Sequence, residues 1–221
     1  PNVVDAHTED ITPTPIPTEE VVIPTVNIDP QTIFRTIDSY AYITNTTMLY
    51  DSYDKNKQEL MTIEQYQKVF AISTNGEYYK VETENENIGY IPANNIEILP
   101  ENYVEVDLSS QTVRVVDDYK EVLNCEVVTG APGHETNEGY TEILDKTYDR
   151  PLVGPTWYVD VNYFFPFNYS EEGFHDASWR SEFGGDIHTY NGSHGCVNMD
   201  EEDVKTMDEH VEVGTKVLVH K

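Results

Sequence analysis

Short apolar runs rich in Val, Ile, Tyr and Phe recur from residue 33 to the end of the chain, separated by polar stretches typical of turns. β-branched and aromatic residues fit the pleated surface of a sheet. The 38% hydrophobic content is low, but with sixteen tyrosines it is compatible with such a fold. The pattern predicts a mostly β protein, with strands at residues 41–44, 48–50, 67–73, 78–81, 95–99, 103–107, 112–116 and 121–128.

A single helix is predicted near the C-terminus, at residues 200–210. Val204 and Met207 are apolar at helical spacing there, and acidic residues fill the first turn, where the helix dipole favours them. Gly214 then precedes a last predicted strand at residues 216–220.

Residues 1–31 have the composition of a linker. Residues 1–30 hold six of the twelve prolines and six acidic side chains, with no Lys or Arg. Proline favours an extended spacer, and low hydrophobicity with net charge disfavours a packed core. We interpret this segment as a stalk, an interpretation that is compatible with plain disorder.

The formal charge of −28 excludes nucleic acid as a partner, because phosphate binding requires Lys and Arg. Such a charge is typical of a highly solvated extracellular surface. No apolar run approaches the roughly 18 residues that span a bilayer, and the chain begins at Pro1 without a methionine. We therefore expect a protein at the extracellular face of the membrane or beyond it, secreted or anchored by a segment absent from this chain.

The chemistry of the chain is concentrated in Ser193-His194-Gly195-Cys196-Val197-Asn198. A cysteine thiol becomes a good nucleophile when a basic neighbour lowers its pKa, and nearby backbone N–H groups can bind the oxyanion of acyl transfer. The preceding glycine would let a substrate approach the backbone closely. The hexapeptide therefore predicts a nucleophile site.

A candidate base lies upstream in Gly173-Phe174-His175-Asp176-Ala177-Ser178-Trp179-Arg180, with seventeen residues between His175 and Ser193. The combined pattern resembles the L,D-transpeptidase family with its YkuD-type catalytic domain, in which a histidine precedes Ser/Thr-His-Gly-Cys at similar spacing. Further landmarks of the family are found at residues 127–130, 135–139, 152–154 and 183–186. One departure is Asn137, because the family usually has proline there, with its fixed φ.

The resemblance implies a β-sandwich catalytic domain at residues 101–221 and a role for each motif residue. Cys196 would attack the donor carbonyl, and His175 would act as general acid and base. Asp176 would orient the imidazole through its backbone carbonyl or its side chain. The oxyanion would meet backbone N–H groups around His194, Gly195 and Cys196. Ser193 and Asn198 would brace the loop.

Four more residues are predicted to shape the site: Phe165, Trp179, Arg180 and His188. Arg180 could meet a substrate carboxylate or pair with an acidic side chain of the protein, and His188 would lie at the lip of the cleft. Cys125 is interpreted as a small buried hydrophobe rather than a disulfide partner of Cys196. We predict no metal site, since compact Cys-x-x-Cys or His-Glu-x-x-His spacing is absent from the sequence.

Residues 32–100 resemble the bacterial type of Src-homology-3-like domain, a small barrel. The similarity lies in Tyr78-Tyr79-Lys80-Val81 and in Gly89-Tyr90-Ile91-Pro92 with the residues that follow. Aromatic residues of such domains line wall-binding grooves or pack the barrel. Cell-wall binding through this segment is therefore an expectation, with its ligand left open.

The family resemblance implies a peptidoglycan enzyme that works without a cofactor. It would cut a tetrapeptide stem before its terminal D-alanine and join the acyl group to an amine of a second stem, giving 3-3 cross-links. Carbapenem-type β-lactams would acylate the same cysteine. The alternatives are an L,D-carboxypeptidase, which gives the acyl group to water, and a non-catalytic wall-binding protein.

Overall fold

The computed structural model describes residues 33–154 and 158–221 and is mostly β, as the sequence predicts. Its first part is one antiparallel sheet of seven strands in the order β3-β2-β6-β5-β4-β1-β7. Its apolar side chains form a separate core around Ile43, Leu49, Val81 and Ile91. The strands are β1 (Arg35–Ile43), β2 (Thr47–Tyr50), β3 (Glu59–Ile63), β4 (Lys68–Thr74), β5 (Tyr78–Thr83), β6 (Ile88–Pro92) and β7 (Ile96–Ile98).

The second part contains two further sheets, in the orders β10-β9-β8-β16-β11 and β12-β13-β14-β15. One apolar core, with Val104, Val115, Phe165, Phe174 and Val219 among its members, joins them into a sandwich. The strands are β8 (Tyr103–Asp107), β9 (Thr112–Asp117), β10 (Lys120–Glu126), β11 (Gly139–Glu142), β12 (Thr147–Val153), β13 (Tyr158–Pro166), β14 (Gly173–Asp176), β15 (Val197–Met199) and β16 (Lys216–His220).

Two short helices complete the described chain, α1 (His188–Asn191) and α2 (Glu201–His210). Asp200 caps α2, since its carboxylate accepts the N–H of Glu202 at 3.0 Å. Val204 and Met207 are the buried residues of α2, which confirms the predicted helix face. No helix in the described ranges is both long and apolar enough to cross a membrane.

In the middle of strand β13 the alternation of side chains between the two faces of the sheet is interrupted, and this interruption positions the site. One carboxylate oxygen of Asp176 accepts the consecutive backbone N–H groups of Asn162 and Tyr163, at 2.7 and 2.8 Å. Consecutive N–H groups point to opposite edges of a regular strand, so β13 is locally irregular at these two residues, although its register with β12 is the same before and after them. As a result Val161 and Phe164, three residues apart, share one apolar cluster with Cys196.

The predicted stalk, residues 1–31, lies outside the described residues. The barrel form and wall-binding role of residues 32–100, and the domain boundaries, stay predictions.

Candidate active site

The two motif segments meet on adjacent parallel strands. β14 carries His175 and β15 directly follows Cys196, in a register that places His175 opposite Asn198. Alternate residues of a strand share a face, so Cys196 and Asn198 lie on the same side of the sheet as His175. The Cys196 sulfur contacts the chain just before β14, with Sγ 3.8 Å from the carbonyl oxygen of Glu171.

Hydrogen bonds fix the loop that leads into Cys196. The Ser193 hydroxyl donates to the Cys196 carbonyl at 2.5 Å and accepts the Gly195 N–H at 3.0 Å. Thr136 donates its hydroxyl to the Gly195 carbonyl at 2.7 Å and accepts the N–H of Gly130. The bracing role predicted for Ser193 therefore has a geometric basis, and Thr136 adds a second brace.

Gly195 is required by the backbone rather than by a substrate. Its φ is +117°, a value that favours glycine. A Cβ on Gly195 would lie 2.9 Å from Oε1 of Glu172, a buried carboxylate. The expectation that Gly195 leaves room for a substrate is corrected, because the missing side chain faces Glu172.

Glu172 is a site residue that the sequence analysis missed. Its carboxylate accepts the Asn137 N–H at 3.1 Å, the Asn137 side-chain amide at 2.7 Å and the Asn168 amide at 2.6 Å. A proline at position 137 could not donate the first of these bonds. The departure from the family pattern at Asn137 therefore coincides with a buried carboxylate that Asn137 binds twice.

The imidazole of His175 is held at both nitrogens. Nδ1 lies 2.8 Å from the backbone carbonyl oxygen of Asp176, so the carbonyl, not the carboxylate, contacts the ring. In the orientation of the Asn198 amide that satisfies its neighbours, Nδ2 donates to His175 Nε2 at 3.0 Å. Burial lowers the pKa of His175, against the opposing effect of the Asp176 carbonyl. An acceptor at Nδ1 and a donor at Nε2 match the imidazole tautomer that carries its proton on Nδ1.

Arg180 completes this chain of contacts. The Asn198 carbonyl oxygen accepts from Arg180 Nε at 2.9 Å and Nη2 at 3.2 Å. Asn198 therefore connects the guanidinium to the imidazole from strand β15, and its predicted role in bracing the loop before Cys196 stays a prediction.

The thiol of Cys196 is not activated in the free protein. Burial raises its pKa to about 11, and the carboxylates of Glu172 and Glu171 add to this effect, against the N–H of Gly173. The physical reason is that, among the described residues, burial and two carboxylates raise the pKa and no cation lowers it, while apolar side chains of β12 and β13 pack against the sulfur. With a raised pKa, the thiol needs a base to take its proton, which is the role predicted for His175.

A cavity of about 220 Å³ opens onto these groups. Most of the predicted site residues line it: Cys196, His175, His194, Ser193, Asn198, Trp179 and Arg180. Leu152 and Val159, from β12 and β13, supply an apolar wall that the sequence analysis did not assign. The His194 ring lies 5.0 Å from that of His134, another residue the sequence analysis did not single out.

Two predicted site residues lie elsewhere. Phe165 is fully buried in the sandwich core, because it lies on the other face of β13, and its neighbour Phe164 approaches His175 with ring centroids 6.5 Å apart. His188 begins α1 outside the cavity lining, and its carbonyl backs Gly192. The prediction for Phe165 is corrected on this geometry. His188 lies beside Gly192, which lines the cavity, and its place at the lip stays a prediction.

No metal cluster forms at this cavity among the described residues. Among the described residues, the group with spacing suitable for a metal is Glu84, Glu105 and His220, and none of these three lines the cavity. The ammonium of Lys68 already lies 2.6 Å from both Glu105 oxygens. Cys125 and Cys196 are both free thiols.

Comparisons with known proteins agree with this geometry. Residues 101–219, more than half of the chain, match the model of the L,D-transpeptidase (YkuD) catalytic domain. No curated protein matches the sequence.

Solved structures resemble the chain as well. The NMR structure of the catalytic domain of an Enterococcus faecium L,D-transpeptidase is 35% identical, covers 54% of this chain and 96% of that chain, and has a TM-score of 0.51. A structure of such a domain acylated by ertapenem is also 35% identical, covers 55% and 98%, and has a TM-score of 0.51. A crystal structure of a mutant Enterococcus faecium L,D-transpeptidase, 24% identical with a TM-score of 0.55, covers 80% and 75% and supports the fold alone.

Proposed function

This chain belongs to the YkuD family of L,D-transpeptidases, and we propose that it forms 3-3 cross-links in peptidoglycan through a thioester on Cys196. The observation that carries the proposal is the placement of Cys196 and His175 on neighbouring strands around one cavity. A thiol and a positioned imidazole are the two groups that acyl transfer through a cysteine requires.

In the first half-reaction the Cys196 sulfur attacks the carbonyl before the terminal D-alanine of a tetrapeptide stem. As the S–C bond forms, the thiol proton passes to Nε2 of His175. The Nε2 lone pair accepts from Asn198 in the free protein, so the incoming thiol and substrate must displace that amide. The C–N bond then breaks, His175 returns the proton to the leaving amine, and D-alanine departs.

The oxyanion of this step needs backbone donors. The Gly195 N–H is already engaged by the Ser193 hydroxyl, so it is a poor candidate. We assign the role to the N–H of Cys196, which points from a loop fixed by Ser193 and Thr136.

In the second half-reaction an amine of a neighbouring stem attacks the thioester. His175 takes the proton of the amine, the C–S bond breaks, and the proton restores the Cys196 thiol. Water in place of the amine would give a tripeptide, the carboxypeptidase outcome. Since the substrate is a wall polymer, we also propose that the protein acts outside the cytoplasmic membrane.

The ertapenem-acylated Enterococcus faecium domain supports a further part of the proposal. At 35% identity, it makes a carbapenem a suitable active-site label for this chain. The drug would acylate Cys196, because its strained carbonyl replaces that of the stem.

The test combines intact-mass spectrometry with product analysis. The protein is incubated with ertapenem or with a disaccharide-tetrapeptide, beside the variants Cys196→Ala and Cys125→Ala. We expect one drug adduct and a dimeric muropeptide from the wild type and from Cys125→Ala, and neither from Cys196→Ala. Cys125 is the matched control because it is the other free thiol.

The other outcomes are informative. A drug adduct with tripeptide as the sole product would replace transpeptidation by carboxypeptidation. An adduct that persists in Cys196→Ala would remove Cys196 from the mechanism, and no adduct with no product would favour a wall-binding protein.

A further inference from the structure

Arg180 is a partly buried cation that pairs with no carboxylate of residues 33–154 or 158–221. The chain has 41 acidic residues against 13 Lys and Arg, yet in the described part of the chain no acidic side chain forms an ion pair with Arg180. By contrast Lys68 and Arg114 bind Glu105, and Lys146 binds Asp208. Burial without such a partner lowers the pKa of the Arg180 guanidinium.

A cation in this position costs free energy unless an anion meets it. Asn198 engages Nε and one N–H of Nη2, and the remaining donors of the planar guanidinium have no partner in the described residues. The side chain lines the same cavity as Cys196 and His175. A free fork of N–H donors in a cavity matches the geometry of a carboxylate ligand.

The contacts also place Arg180 close to His175, the group that protonates the leaving amine. Arg180 is joined to Nε2 of His175 through the single amide of Asn198. His175 protonates the leaving amine, and in a leaving amino acid the amine and the carboxylate are attached to the same carbon. A leaving group whose amine meets His175 therefore has its carboxylate within reach of Arg180, which lines the same cavity.

We propose that Arg180 binds the terminal carboxylate of the donor stem and thereby selects donors that end one residue after the scissile bond. This inference rests on the function proposed above and names the group that reads the donor terminus. A stem that is extended by another residue, or whose C-terminus is an amide, has no carboxylate at the position where Arg180 would bind it.

A second role for Arg180 must be separated from this one. Because Arg180 orients Asn198, its loss could also disturb His175 and slow every substrate alike. Carboxylate binding predicts a loss confined to donors with a free C-terminus. The two roles are distinguished by comparing two donors in the same variants.

The experiment measures kcat/KM for release of the last residue from a disaccharide-tetrapeptide and from its C-terminal carboxamide. The proteins are the wild type, Arg180→Met, Arg180→Lys and the control Arg150→Met. Arg150 is an exposed cation over the Phe164 ring, 4.9 Å from its centroid, and is not part of the cavity lining.

We expect the wild type to prefer the free acid by roughly 10- to 100-fold, the usual range for hydrogen bonds to a charged group. Arg180→Met should abolish this preference, Arg180→Lys should retain part of it, and Arg150→Met should leave it unchanged. Equal losses for the acid and the amide, or no loss for either, would overturn the proposal.

A binding measurement separates failure of this inference from failure of the proposed function. In the Cys196→Ala protein, the dissociation constants of the acid and the amide are measured with and without Arg180→Met. Selective binding through Arg180 without turnover in the wild type would contradict the function alone. Turnover without selective binding would contradict the role of Arg180, and neither binding nor turnover would contradict both.

Discussion

Burial disfavours the charged form of both the nucleophile and the base. Burial raises the pKa of the Cys196 thiol to about 11 and lowers the pKa of the His175 imidazole. A proton transfer between them before substrate arrives is therefore unfavourable. The substrate supplies what is missing, because the thiol loses its proton as the bond to the carbonyl forms.

This state of the thiol predicts two different pH profiles. Alkylation of Cys196 by iodoacetamide needs free thiolate, so its rate should rise about tenfold per pH unit from neutrality towards 10, without a plateau. Ertapenem acylation, with His175 as base, should stay level as pH falls to 6.5, because a lowered pKa keeps the imidazole neutral. Mass spectrometry of timed samples gives both rates. An alkylation plateau near pH 7 would instead indicate a preformed thiolate.

The limits of sequence reasoning at this scale are visible in Glu172 and Gly195. The motif identified Cys196 and His175 because their residue types and spacing are rare. Glu172 gave no signal, since it is one of 41 acidic residues, and its burial depends on strands that meet only in the fold. Gly195 was identified for the wrong reason, because its φ and its approach to Glu172 are tertiary properties.

At the scale of elements, the site depends on the change of face in β13. The Asp176 carboxylate binds the two N–H groups that make this change, while its backbone carbonyl contacts the His175 ring. Asp176 thus connects β14 to β13 through its side chain, while its main chain orients the His175 ring.

This division predicts that the Asp176 carboxylate serves stability more than catalysis. Asp176→Ala should lose about 2–6 kcal/mol of unfolding free energy, because it leaves two N–H groups unpaired and each costs about 1–3 kcal/mol. Asp176→Asn keeps an acceptor oxygen and should lose less. Urea unfolding gives these values, with the exposed Asp160 of β13, as Asp160→Ala, for control.

The kinetic side of the same prediction concerns the folded fraction of Asp176→Asn. Its ertapenem acylation rate should stay within a few-fold of the wild type, since the backbone carbonyl remains. A variant of normal stability that has lost acylation would show that the carboxylate itself acts on the ring.

Many strands of the first part and the strands β8 to β10 and β16 were predictable from alternation and turns, and so was helix α2 from its acidic first turn. The strands β12 to β15, which form the sheet of the site, were not among the predicted strands. The face of the sheet on which each side chain lies was not predictable. Phe165 was assigned to the site and Phe164 is there instead, because the irregularity at Asn162 shifts the alternation. The Asp176 bonds that cause this shift join residues of separate strands, so no local pattern announces them.

At the scale of the whole molecule, a buried ionic cluster joins the two parts of the chain. Lys68 from β4 lies 2.6 Å from both oxygens of Glu105 on β8, and His220 on β16 lies 3.0 Å from Oε1. Arg114 adds a contact at 3.2 Å. Nearby, Tyr42 stacks on Tyr140 across the same boundary, with ring centroids 4.2 Å apart.

The cluster shifts two titrations in opposite directions. Burial alone would raise the pKa of Glu105, but His220 and Lys68 outweigh it and lower the value to about 2. Burial alone would lower the pKa of His220, but the hydrogen bond and charge of Glu105 raise it above 6.5. The Glu105 contribution to stability is lost as pH falls from 4.5 towards 2. The His220 contribution is complete below 6.5 and is lost as pH rises through the raised value.

We therefore expect the unfolding free energy of the wild type to exceed that of His220→Gln most at pH 5.5, with a smaller difference at pH 8.5. Lys68→Met should lower the unfolding free energy by about 3–5 kcal/mol at both pH 5.5 and pH 8.5, because it leaves Glu105 buried with one cation fewer. Lys120→Met, which breaks an exposed pair with Asp118, should cost at most about 1 kcal/mol. Urea unfolding at the two pH values measures all three. A His220→Gln difference that does not change with pH would mean that His220 is neutral in the folded protein and joins the two parts without its charge.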